Sequence, residues 1–150
     1  MLVNLKLMGI EPWASQDLNR LKEYCDAVSN ATGIPIPANY PVVGGDAFRT
    51  GTGVHAAAVI KAYRKNDVML ANSIYSGVPS HYFGMEQIIE IGPMSGKSNV
   101  HFWLERHGIP DTPELVERIF ARAKSSATML TEAEILECVQ AAGVRTSFAT

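Results

Sequence analysis

His55 is the residue best placed to do chemistry. It stands in Gly51-Thr52-Gly53-Val54-His55-Ala56-Ala57-Ala58-Val59-Ile60, and Gly44, Gly45, Gly51 and Gly53 crowd the approach to that alanine-rich run. Glycine lets a backbone take turns that a side chain would forbid, and alanine favours helix. The pattern predicts a helix from about Val54 to Tyr63 with His55 in its first turn. Backbone N–H groups at a helix start have no partner within the helix and attract anions. An imidazole, which titrates near neutral pH, suits proton transfer at such a place.

Other reactive side chains read as structural. Ser95-Gly96-Lys97-Ser98 begins a helix and could hold an anion, but a phosphate loop needs a glycine where Ile91 stands. His101 and His107 lack the spacing of helical metal ligands and fit a helix surface and a helix end, the latter favourable to the dipole when charged. Asp46 and Arg49 flank the glycine turn and are expected to pair with each other or with the helix end, which contributes only about 0–1 kcal/mol. Cys25 and Cys138 stand singly in helical patterns, as reduced, packed thiols do.

The elements that must position these groups are mostly helices. Leu2–Met8 reads as the end of an amphipathic helix closed by Gly9, and a second helix carries Leu18, Leu21, Cys25 and Val28, with Ser15 or Asp17 as its cap and Gly33 as its end. Ile34 to Pro41 holds three prolines and reads as a semi-rigid linker. Residues 66–84 are expected to be irregular, and Gln87–Ile91 is the one convincing strand. Three helices follow. The first faces Val100, Trp103, Leu104 and His107 one way; the second is capped by Thr112 with Pro113 at its first position. The third opens with the capping box Thr131-Glu132-Ala133-Glu134 and ends at Gly143, before a tail expected to fray.

Composition narrows the function. In 150 residues, 47% are hydrophobic and 19% charged, which fits one modest domain with a real core. A net charge of −2 without a basic stripe gives no footprint for nucleic acid. No apolar run reaches membrane-spanning length and no signal-peptide pattern opens the chain, so a cytoplasmic location is expected, with neither nucleic acid nor membrane as partner.

Three segments in order carry a resemblance: DAFRTGTGVHAAAVIKA at 46–62, IYSGVPSHYFG at 74–84 and IEIGPMSGKSNVHFWLERHGI at 89–109. Together they resemble the C-terminal part of the 2-isopropylmalate synthase family, which includes homocitrate and citramalate synthases, from about Leu2 to Val139. The resemblance implies a mostly α fold with a short β element (α+β), in which residues 1–36 are a remnant of the C-terminal end of a (β/α)8 catalytic barrel and residues 37–150 are helical linker subdomains. A barrel needs eight strands and about 250 residues, so a complete one is not expected here. The chain reads instead as a fragment, a truncated reading frame or one half of a split enzyme.

The activity implied is the Claisen condensation of acetyl-CoA with 2-oxoisovalerate in leucine biosynthesis, or a homocitrate- or citramalate-forming equivalent. In such enzymes a divalent metal (Mg, Mn or Zn) holds the 2-oxo acid, and its ligand motifs are missing from this sequence, so the chain alone is expected to be inactive. The resemblance makes His55 a group that polarises or deprotonates the acetyl moiety in a barrel of the same or a neighbouring subunit, within a homodimer. It makes Tyr75 a hydrogen-bond donor to a developing oxyanion, with Tyr82 a competing candidate seven residues on. A different class of reading is a non-catalytic helical dimerisation or regulatory subunit.

Overall fold

The computed structural model describes residues 1–144; the tail expected to fray lies outside them. In chain order the elements are α1 (Leu2–Leu7), α2 (Leu21–Thr32), β1 (Arg49–Thr50), α3 (Gly53–Arg64), α4 (Val68–Ser73), a 3-10 turn (Ser80–Phe83), β2 (Ile88–Ile89), α5 (Lys97–Arg106), α6 (Pro113–Ser125) and α7 (Glu132–Ala141). The described residues are thus mostly helical, with a two-stranded β element and no closed barrel. No helix among them is long and apolar enough to cross a membrane. The chain forms two compact units, each assembled from two stretches: residues 1–48 with 68–87, and residues 49–67 with 88 onward.

The second unit holds the main core. Val100 and Leu104 from α5, Leu115 and Ile119 from α6, and Ile135 and Val139 from α7 are buried together. Their spacing of four residues is what puts each pair on one face of its helix. The helix ends obey the sequence. Thr112 caps α6 by accepting from Leu115 N–H at 3.4 Å, with Pro113 behind it. Thr131 and Glu134 form the reciprocal box at α7, each side chain accepting from the other residue's backbone N–H. Helix α3 packs on α5 through Ala56, Val59, Ile60 and Ala62, and Tyr63 stacks on Phe102 with ring centroids 6.0 Å apart.

Strand β2 is shorter than the sequence implied, and it has a partner that alternation did not reveal. It pairs in parallel with β1, Arg49 opposite Ile88 and Thr50 opposite Ile89. Arg49 is part of that pairing, and its guanidinium lies 2.6 Å from Glu90 Oε1. A two-residue strand carries no period, so only its partner makes it visible.

In the first unit, α2 begins at Leu21 with Arg20 as its cap, later than expected. Asp17 Oδ1 instead accepts from Asn19 N–H at 2.9 Å, and Ser15 Oγ donates to Glu11 and to Pro12 O. Short side chains of this kind form local turns as readily as caps. The stretch expected to be irregular contains α4 and the 3-10 turn, joined by a buried bond from Ser80 Oγ to Asn72 Oδ1 at 2.9 Å. Gly9 and Gly33 close α1 and α2 in the left-handed conformation, as the sequence implied.

Candidate functional site

The first turn of α3 is built by what surrounds it. Thr52 is the N-cap residue in extended geometry, and Gly53 N–H, which a helix start would otherwise offer to an anion, donates to Met94 O at 3.0 Å. Gly51 and Gly53 are not used for left-handed turns; they are sites of close approach. A Cβ on Gly53 would stand 2.7 Å from Gly96 N, and one on Gly51 would press on the end of the Met129 side chain at 2.5 Å. Side-chain-free backbone therefore lets the start of α3 lie against the start of α5.

His55 sits on this turn and is exposed, while its neighbour Ala56 is buried against the unit's interior. The helix thus packs through Ala56, Val59, Ile60 and Ala62 and leaves His55 on its exposed side. Tyr75 belongs to the other unit, in the turn that follows α4, and is 53% exposed. Tyr82 is also exposed and meets the His81 ring edge-on at 4.6 Å.

The remaining candidates are engaged within the protein. Ser95 Oγ accepts from Gly92 N–H at 2.8 Å and donates to Gly51 O at 2.6 Å. Lys97 pairs with Glu117, and Lys124 Nζ donates to Pro93 O and Ser95 O, both at 2.8 Å. His101 Nδ1 lies 2.8 Å from Asp111 Oδ2; this bond holds the Asp111 carboxyl below its usual range. His107 donates from Nδ1 to Trp103 O at 2.7 Å and stacks on the Trp103 ring at 3.7 Å. Burial pushes the Cys138 thiol up, away from the reactive thiolate form.

One residue escaped the sequence reading. Both ring nitrogens of His81, in the 3-10 turn, are buried with no hydrogen-bond partner among the described residues. Its neighbours Pro79 and Phe83 carry no signal for such burial. As for a divalent metal, among the described residues no three His, Cys, Asp or Glu side chains gather to hold one. The residues present do not fit that group.

No family model matches the chain. Its homologues nonetheless form one class, acyltransferase-type synthases named for homocitrate, citramalate and isopropylmalate. It is 34% identical to the homocitrate synthase of Pyrococcus horikoshii over 123 residues, 82% of this chain and 31% of that protein. It is 32% identical to the probable 2-isopropylmalate synthase of Ignicoccus hospitalis, over 75% of this chain and 27% of the relative. To the (R)-citramalate synthase of Aquifex aeolicus it is 31% identical, over 77% of the chain and 21% of the relative. The chain therefore spans less than a third of the length of each of these relatives. They support the homocitrate, citramalate and isopropylmalate synthase family without selecting one member.

Proposed function

We propose that the chain is the C-terminal portion of a synthase that condenses acetyl-CoA with a 2-oxo acid, and that it lends His55 and Tyr75 to a barrel domain of the same or a neighbouring subunit. The observation that carries this reading is the exposed imidazole in the first turn of α3, on a helix start packed against α5. In the reaction, His55 takes a methyl proton from the acetyl group. The resulting enolate carbon bonds to the ketone carbon of the 2-oxo acid, whose oxygen becomes an alkoxide and then takes a proton. Tyr75 offers a hydrogen bond to the negative oxygen as it forms. A divalent metal, if the barrel domain holds one, would supply Lewis-acid chemistry to the 2-oxo acid.

The substrate reading is 2-oxoisovalerate, giving 2-isopropylmalate for leucine once water has cleaved the thioester of the condensed product and CoA has left. The likeness to homocitrate synthases at 34% and to a citramalate synthase at 31% supports a different 2-oxo acid equally well. Turnover of 2-oxoisovalerate, 2-oxoglutarate and pyruvate by the synthase reconstituted with its barrel separates the three. His55→Ala in that enzyme is expected to lower kcat more than it raises KM, the pattern of a group acting in the transition state. An unchanged kcat would return the chain to the second reading, a helical dimerisation or regulatory subunit. That reading draws support from α1 and α2, neither of which buries a residue.

A further inference from the structure

We infer that Ser95 and Asn99 are positioning residues for His55, fastening the first turn of α3 to the first turn of α5; the inference rests on the role proposed for His55. Ser95 is 3% exposed and Asn99 fully buried, in a unit whose interior is otherwise apolar. A buried polar side chain is costly unless its hydrogen bonds are met. These two meet theirs on backbone, and each spans separate segments.

Ser95 Oγ gives its single proton to Gly51 O at 2.6 Å and accepts from Gly92 N–H at 2.8 Å. Gly51 immediately precedes the cap residue of α3, so this hydroxyl holds the entry to that helix. Asn99, in the first turn of α5, donates from Nδ2 to Glu90 O at 2.9 Å and accepts at Oδ1 from Gly96 N–H at 3.2 Å. Gly96 has no side chain to return that bond, so Asn99 supplies the only side-chain half of the cap at this helix start among the described residues. Two backbone bonds run alongside, Glu90 N–H to Thr50 O and Gly53 N–H to Met94 O, both at 3.0 Å. Residues 50, 51 and 53 are thus each held from the 90–95 segment, and Asn99 holds that segment in turn.

The geometry leaves His55 two residues from the last anchored position, on a helix whose entry is fastened at residues 50, 51 and 53. An imidazole held this way loses little orientational freedom on meeting a substrate, and small misplacements of a reacting group are expensive in rate. Ser95 and Asn99 therefore act on turnover through His55 and not on their own account.

The test compares Ser95→Ala and Asn99→Ala with Ser95→Cys, which keeps the volume but offers only a weak donor, and with Ile119→Val as a control for plain loss of core packing. Amide hydrogen exchange in the full chain is expected to quicken about tenfold or more at Gly53 and Ala56, whose N–H groups donate to Met94 O and Thr52 O, with α6 unchanged, and the His55 Cε1–H resonance shifts while that of His101 stays. Ile119→Val should quicken exchange throughout the core and leave the His55 resonance in place. If Ser95→Ala fails to fold, Ser95→Cys is read in the same way. Exchange and resonance both at their original values in the folded variants would overturn the inference.

In the reconstituted synthase, Ser95→Cys is expected to lower kcat about tenfold with KM within about twofold, and to add nothing when His55 is already alanine. A full additional loss in the His55→Ala background would also overturn it. Should His55→Ala itself leave kcat intact, the proposed function fails, and the exchange result still decides whether the clamp positions the turn.

Discussion

Gly33 and Gly84 share a backbone conformation and differ in their surroundings. Both have φ near +69°, yet a Cβ on Gly33 would meet nothing within 4 Å, whereas one on Gly84 would overlap the carbonyl oxygen of Asn19. Left-handed geometry costs a residue with a Cβ about 1–2 kcal/mol, and forced overlap in a packed site adds about 1–3 kcal/mol. Gly33→Ala should therefore lose only the first amount in urea unfolding, and Gly84→Ala distinctly more. Equal losses would show that the approach of Asn19 to Gly84 relaxes freely. The place of His55 in a first helical turn was legible from its neighbours, because glycine and alanine flank the helix start in the sequence. The reason for Gly51 and Gly53 was not, since a close approach depends on Met129 and Gly96, which are 78 and 43 positions further along.

At the scale of elements, the capping box of α7 joins sequence, stability and pH. Hydrogen bonds from Thr131, backbone first and then hydroxyl, together with the Arg122 guanidinium, hold the Glu134 carboxyl below its usual range. A carboxyl depressed on folding contributes stability above its unfolded value of about 4.3 and loses it as pH falls through the folded one. Thr131→Ala removes the cap and should cost about 1 kcal/mol at neutral pH. The gap between variant and parent in thermal melts should narrow as the pH is lowered toward 3, because protonated Glu134 has already given up its share. A gap that widens would mean that Glu134 is not what makes the box pH-dependent. Helices α6 and α7 were readable to within a residue or two because their caps are local chemistry. The start of α2 was misplaced because Asp17 spends its carboxylate on Asn19 N–H, a choice between turn and cap that spacing does not decide. Strand β1 was invisible because two residues carry no period, and α4 because Gly77 and Pro79 just beyond it mark a turn-rich stretch.

Across the molecule, burial is unevenly shared, and this governs how each unit behaves. Helix α6 buries Leu115, Val116, Ile119 and Ala123, whereas α1 and α2 bury nothing. In the first unit Tyr24, Val28, Ile34 and Tyr40 stay exposed and help line an open, uncharged groove of about 380 Å³. Local opening is governed by how much apolar surface holds a segment down, so amide exchange in α2 of the dilute chain should run about a hundredfold or more faster than in α6. Apolar surface of this extent also promotes association. As the protein concentration is raised, protection should grow in α1 and α2 specifically and leave α6 where it was, in step with a rising sedimentation coefficient. Slow exchange in α2 at the lowest concentration, with a sharp monomeric boundary, would mean that the first unit holds itself together without a second surface. Only His55 would then point to a partner surface.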